Sequence, residues 1–225
     1  MRWFLLLIAL AGLAALGLRH LPPEWDPRAP LDLNAAPNLV TGLKLARLRS
    51  DPALCRAAFA SSGIAVSSVP DRASETGCPI TNALRLPGTL RTLPNTPFVT
   101  CPMAAAWVLF ERNTVQPAAW AHLGQAVTGV RHLGTYACRD VNNAASGRRS
   151  QHATANAIDI AAFTRAGAPD VVLLRDWDAD DAEARFLRAV RDGACRWFSA
   201  VLGPDYNAAH RDHFHLDLGR ARVCR

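Results

Sequence analysis

Large apolar residues alternate with small or polar ones in two stretches of the chain, Ala157-Ile-Asp-Ile-Ala161 and Phe214-His-Leu-Asp-Leu218. Alternate side chains of a strand share one face. Ile158 and Ile160 are therefore expected inward, with Asp159 on the opposite face, where the flanking alanines leave room. Phe214, Leu216 and Leu218 are likewise expected inward, with His213, His215 and Asp217 opposite. Two strands of one sheet would then present a shared polar face.

Upstream of these strands the period changes. Thr41 is placed to cap a short helix running to Arg49 with Leu43, Leu45 and Leu48 on its apolar side, and Asp51-Pro52 starts a second helix carrying Cys55 and Phe59. Ile64-Ala-Val66 and Leu84 to Leu93, interrupted by Pro87-Gly88, read as strands and loops. Pro102 suits the first turn of a helix continuing from Met103 to Phe110, and Pro117 marks a break or a new start toward Leu123. Trp107 and Trp120 are both expected in the core. Val127 to Cys138 reads as a strand leading to a polar loop, Asp140 to Arg149, and Val171 to Leu174 reads as another strand. The longest amphipathic helix is expected from Ala182 to Leu202, buried through Phe186, Leu187, Val190, Cys195, Phe198 and Val201 and ended by Gly203-Pro204. This order predicts an α+β fold: a small, mostly antiparallel sheet with helices packed on its apolar face.

The start of the chain is of another kind. Arg2 is followed by an uncharged run from Trp3 to Leu18, before Arg19 and His20. A run close to the ~20 residues of a spanning helix is expected to be an uncleaved membrane anchor. It covers residues 1–20, with a cleaved signal segment and a secreted domain as the alternative. Pro22, Pro23, Pro27, Pro30 and Pro37 block regular helix, so residues 21–50 read as a proline-rich tether and a short helix. The tether would lift a domain of residues 51–225 off the membrane.

Composition sharpens this picture. With 225 residues, 50% of them hydrophobic, the chain suits one domain with a sizeable core. Its charge of +6 comes mostly from dispersed arginine, Lys44 being the single lysine, and suits an anionic polymer or a membrane surface. No basic run is interleaved with aromatics, so nucleic acid is not an expected partner. Cys55, Cys78, Cys101, Cys138, Cys195 and Cys224 form an even set without a Cys-x-x-Cys, which points to disulfides and an oxidising compartment. Pairing in order along the chain, Cys55 with Cys78, Cys101 with Cys138 and Cys195 with Cys224, is the expectation.

His152, His210, His213 and His215, out of 7 histidines, fall in the segments Ser150 to Asp159 and His210 to Asp217. Hydrolytic zinc takes three nitrogen or oxygen ligands and keeps a position for water. His152, Asp159 and His215 supply that set. His213 or Asp212 is the expected general base, and His210 a second proton carrier or oxyanion partner. Asp217 is expected to orient a ligating imidazole. Ser150 is expected to contact substrate, as is Arg139, which can grip a carboxylate bidentately; Arg148 and Arg149 flank the same cleft. His20, His122 and His132 read as ordinary surface or core residues.

The His-x6-Asp spacing followed by His-x-His resembles the zinc peptidases of the lysostaphin, D-Ala-D-Ala carboxypeptidase and hedgehog superfamily. Their fuller motif corresponds here to Ser150, His152, Ala155, Ala157 and Asp159, with Ala155 standing where many of those enzymes have glycine. His210-x2-His213-x-His215 is similar in spacing to the penicillin-insensitive murein endopeptidases, and the Glu of the dipeptidases is missing. Over most of the chain the resemblance is to the bacterial extensin-like C-terminal family. It runs from Ala29-Pro-Leu-Asp-Leu33 through Lys44 to Leu48, Cys78-Pro-Ile80, Leu93-Pro94, Cys101-Pro-Met-Ala104, Thr135 to Arg139 and Leu202-Gly-Pro204 to the end. These resemblances imply a hedgehog or DD-peptidase-like fold and a zinc-dependent peptidase or amidase acting on peptidoglycan stem peptides. The domain would face the periplasm from the inner membrane. A wall-binding or envelope scaffold that keeps the fold without cleavage is the competing class.

Overall fold

The computed structural model describes residues 20–225 and, before them, residues 3, 4, 7, 12 and 17. The expected anchor lies largely outside the described residues, among which no helix is long and apolar enough to cross a membrane. The chain forms helices α1 (Thr41–Arg47) and α2 (Pro52–Ser61), then strands β1 (Ser68–Val69), β2 (Ala83–Arg85), β3 (Arg91–Leu93) and β4 (Phe98–Thr100). Helices α3 (Cys101–Phe110) and α4 (Gln116–Leu123) follow, with strands β5 (Val127–Gly134), β6 (Ala157–Arg165) and β7 (Ala168–Val172) after them. Helices α5 (Leu173–Asp176) and α6 (Ala182–Ala194) and strands β8 (Ala200–Leu202), β9 (Phe214–Asp217) and β10 (Val223–Cys224) complete an α+β fold.

Strands β1, β2 and β4 make a 3-stranded sheet, and a 7-stranded sheet runs β10-β8-β9-β6-β5-β3 with β7 also on β6. Antiparallel pairing dominates; β10 on β8 and β3 on β5 are the parallel exceptions. Strand β6 is central because its first half pairs with β9 and its second with β7, while β5 lies along the other edge. Its Ile158, Ile160 and Phe163 are fully buried, and Phe163 meets Phe186 of α6 edge-on, 5.1 Å between ring centres. Helix α3 is buried on every side, as suits a helix that is apolar all round. A π-helical turn, Glu111–Val115, carries α3 on into α4, so Pro117 falls in the first turn of α4.

Several expectations are corrected. The amphipathic helix stops at Ala194 rather than Leu202. Trp197 and Phe198 turn back onto Ala194 O, Ser199 N bonds to Asp217 O, and Ala200–Leu202 becomes β8 beside β9. A short apolar run fits helix and strand periods alike, and here an open sheet edge decides. Leu173 and Leu174 begin α5 instead of extending a strand, β5 ends at Gly134 rather than Cys138, and β1 lies at Ser68–Val69 rather than Ile64 to Val66. Trp107 is buried as expected, but Trp120 is 61% exposed. Thr41 does not cap α1 through its side chain; its hydroxyl accepts from Asn38 N at 2.9 Å. Leu43 is exposed and Lys44 is buried instead, its Nζ donating to Pro23 O at 2.6 Å. The proline-bearing stretch is laid down on the domain: Leu31 and Leu33 are buried, and Leu33 N donates to Ser62 Oγ at 2.8 Å.

All six cysteines are paired, as Cys55–Cys101, Cys78–Cys138 and Cys195–Cys224. The last was expected; the first two correct the pairing in order. Helix α2 packs against the start of α3, which joins Cys55 to Cys101. Tyr136 Oη reaches Cys78 O at 3.0 Å, bringing Cys78 beside Cys138. Each bridge contributes about 2–4 kcal/mol by restricting the unfolded chain.

Candidate metal centre

Asp159 and His215 stand opposite each other across the β6–β9 ladder, as do Ile158 and Leu216. Ile158, Ile160, Phe214 and Leu216 fill the core face, so alternation puts Asp159, His213 and His215 on the other. His152 arrives from the 3₁₀ turn Gln151–Thr154, which Ser150 caps by accepting from His152 N at 3.3 Å. The turn closes through Ala155 in the left-handed region, φ 54° and ψ 31°, and the chain then enters β6.

These elements bring three ligand atoms together. His152 Nε2 lies 3.1 Å from His215 Nδ1 and 3.2 Å from Asp159 Oδ1, and His215 Nδ1 lies 2.9 Å from the same oxygen. Tetrahedral zinc with bonds of about 2.0–2.1 Å separates its ligand atoms by about 3.3 Å. The triad therefore approximates one face of such a tetrahedron, and two imidazoles with a carboxylate are a donor set that suits zinc.

The charge balance agrees. Burial pushes the Asp159 carboxyl up, but hydrogen bonds with His152 and His215 outweigh it and hold the group well below the usual carboxylate range. Burial pushes His215 down, yet its bonds to Asp159 and Asp217 prevail and raise it to about 9. The cluster is built to hold positive charge, whether a proton or a metal ion. Asp217 takes the other side of the ring, accepting from His215 Nε2 at 2.9 Å and leaving Nδ1 turned toward Asp159.

Two further histidines face this floor. His213 donates from Nδ1 to Asp212 Oδ1 at 2.8 Å and turns Nε2 inward, 3.8 Å from Asp159 Oδ1. His210 donates from Nδ1 to Asn207 Oδ1 at 2.7 Å, with its ring centre 5.2 Å from that of His213. Burial, and the neighbouring His213 and His215, lower its pKa to about 4.

A cleft of about 520 Å³ opens over the cluster, and Arg139, Arg148, Arg149 and Ser150 all reach its walls. Arg149 is engaged, with Nη1 on Asp140 Oδ1 at 2.9 Å. Ser150 is buried with its oxygen turned to the His152 turn. His132 bonds to Asn95 O at 3.1 Å and does not line the cleft.

Sequence reasoning passed over Tyr206 and Asn207. Tyr206 stands edge-on to His210, ring centres 5.5 Å apart, and Asn207 both caps the turn Ala208–His210 and fixes the His210 ring. An Asn just ahead of a short turn is a cap signal that was available.

A family model described as the extensin-like protein C-terminus matches residues 53–225. The chain belongs to that family. The match begins after Ala29 to Leu33 and Lys44 to Leu48, and takes in all of the site of this extensin-like domain. No curated protein and no solved structure matches the chain.

Proposed function

We propose that the extensin-like domain is a zinc-dependent hydrolase that cuts an amide bond in the stem peptides or cross-links of peptidoglycan. We infer further that the segment before it holds it at the inner membrane, facing the periplasm. The observation that supports the chemistry is the convergence of His152 Nε2, His215 Nδ1 and the Asp159 carboxylate at the floor of an open cleft. The resemblance of the two histidine segments to the lysostaphin, D-Ala-D-Ala carboxypeptidase and hedgehog superfamily supports the same reading, as do the three disulfides for an oxidising compartment.

His152, Asp159 and His215 would hold the ion. Bound there, zinc would supply Lewis acidity and a water of lowered pKa. His213 takes a proton at Nε2, while Asp212 holds Nδ1 and stabilises the imidazolium that forms. His210, whose Nδ1 proton is committed to Asn207, offers the Nε2 lone pair as an acceptor for a substrate N–H or for a second proton in transit. Arg139 offers a planar pair of donors to a peptide carboxylate.

The test pairs metal analysis of the purified protein with product analysis on intact peptidoglycan. Zinc together with new amine termini is the expected result. Zinc without cleavage would favour a wall-binding scaffold, and a protein that takes up no metal would overturn the hydrolase.

A further inference from the structure

A second hollow of about 350 Å³ lies beside the cleft, lined in part by Arg49, Asn82, Thr100 and Asn156. Gln151, Gly219 and Arg220 line both hollows and so form a saddle between them. Residue 219, on this saddle, is a glycine with little room for a side chain. A Cβ there would stand 3.0 Å from Asp217 Oδ1 and 3.1 Å from Gln151 Cδ. Its backbone is pinned by Arg49, whose Nη2 donates to the carbonyls of Leu218 and Gly219.

The amides around this hollow are oriented by a relay. Thr100 Oγ1 donates to Asn156 Oδ1 at 3.0 Å, and Asn156 Nδ2 donates to Gln151 Oε1 at 2.6 Å. With its oxygen used, Gln151 keeps its NH₂ group as a donor. Asn82 Oδ1 accepts from Arg56 Nη1 at 3.0 Å, which leaves Asn82 the same way. Arg220 is exposed on the rim and adds guanidinium donors. Among the described residues the wall carries no aromatic face on which a sugar could stack, and its bias toward N–H donors matches the carbonyl and carboxylate oxygens of a peptide.

We propose that an extended peptide crosses the saddle. Its scissile amide lies over the triad, and the chain beyond is seated in the second hollow by Asn82, Gln151 and Arg220. The position of the cut rests on the hydrolase reading; the binding does not. Cross-linked or long peptides are then better ligands than short free ends.

The experiment measures binding of the full-length protein in detergent to three probes: an uncross-linked stem peptide, a cross-linked dimer of it, and a library of unrelated peptides of graded length. The dimer is expected to bind about tenfold more tightly than the single stem, the worth of one or two hydrogen bonds. Asn82→Gly, which suits the positive φ of 48° at that position, and Arg220→Ala should each remove most of that margin without lowering the melting temperature. Equal affinity for short and long probes overturns the proposal, as does a length preference that neither substitution reduces, even where wall peptides are cleaved. If wall fragments fail to bind while long library peptides bind with the same dependence on Asn82 and Arg220, the groove stands and the peptidoglycan reading falls.

Discussion

Asp159 and Glu111 are both carboxylates taken out of water, yet their surroundings differ in kind. Glu111, 1% exposed, opens the π-helical turn after α3 and faces the Pro87-Gly88 bend. Its Oε1 accepts from Thr89 N at 2.8 Å and from the Thr89 hydroxyl, while Oε2 has no hydrogen-bond partner among the described residues. Gly88, at φ 139°, is what admits it, since a Cβ there would come within 2.2 Å of Oε2. The donors around Glu111 point at the acid itself and the knot is closed. Around Asp159 the neighbours are imidazole nitrogens aimed at a point shared with the carboxylate, and that point opens into a cleft. Burial of an acid is therefore not evidence of a site. Convergence of lone pairs on accessible space is.

The largest effect that bears on this contrast is loss of a ligand. His215→Ala removes one of the three converging atoms and should lower zinc content at least about tenfold, since even outer partners of metal ligands cost 10–100-fold. Turnover should fall to background with it. Elemental analysis alongside release of amine termini checks both, and full zinc in the variant would mean that the atoms around Asp159 do not converge on a metal.

His213 separates two jobs on one face of the β9 register. It lies two residues from His215, but its Nε2 is 3.8 Å from Asp159 Oδ1, beyond the contacts of the triad. His213→Ala is expected to keep zinc and lose about 10²–10⁴ in turnover, the range for removing a general base. Equal zinc loss in both variants would make His213 a ligand. Unchanged turnover would pass the base role to Asp212 or His210.

The contrast between the two acids also explains how much could be read beforehand. Alternation of large apolar with small or polar residues in Ala157 to Ala161 and Phe214 to Leu218 carries face information, because each side chain's neighbour along the strand must go the other way. The placement of Asp159, His213 and His215 opposite the core face was legible for that reason, as was the α+β class. Which cysteines meet was not, since Cys55 and Cys101 are brought together by helix packing that leaves no mark in their spacing. The end of α6 was illegible because Ala200 to Leu202 fits a helical stripe as well as a strand, and the edge of β9 decides between them. Glu111 passed unnoticed for a like reason: its partner Thr89 lies 22 residues away, across two strands and the whole of α3.

A smaller effect tests the closed half of the comparison. Glu111→Ala removes the acceptor of Thr89 N and of the Thr89 hydroxyl at an exposed bend, where water can replace it, and should cost about 0.5–1.5 kcal/mol. Zinc content and turnover should match the parent, because no atom of Glu111 lines the cleft. Chemical denaturation gives the first quantity. A loss of zinc in this variant would tie the two acids together and undo the contrast.

The smallest expected effect lies at Ala155, where the turn holding His152 meets β6. Its φ of 54° is a conformation that costs an L-residue about 1–2 kcal/mol and glycine nothing. Ala155→Gly relieves that cost, but it also gives up a fully buried methyl worth about 0.8 kcal/mol and frees the unfolded chain by about 0.5–1 kcal/mol. These terms nearly cancel, so stability should stay within about 1 kcal/mol of the parent. The hydrogen bonds from Ala155 N to His152 O and from Thr100 N to Ala155 O use the backbone alone and survive the change. His152 should then keep its place, and zinc affinity should be unaltered. A drop in affinity without a drop in stability would show that the Ala155 methyl itself holds the His152 turn against β6, making the alanine a positioning residue for the metal rather than a tolerated departure from glycine.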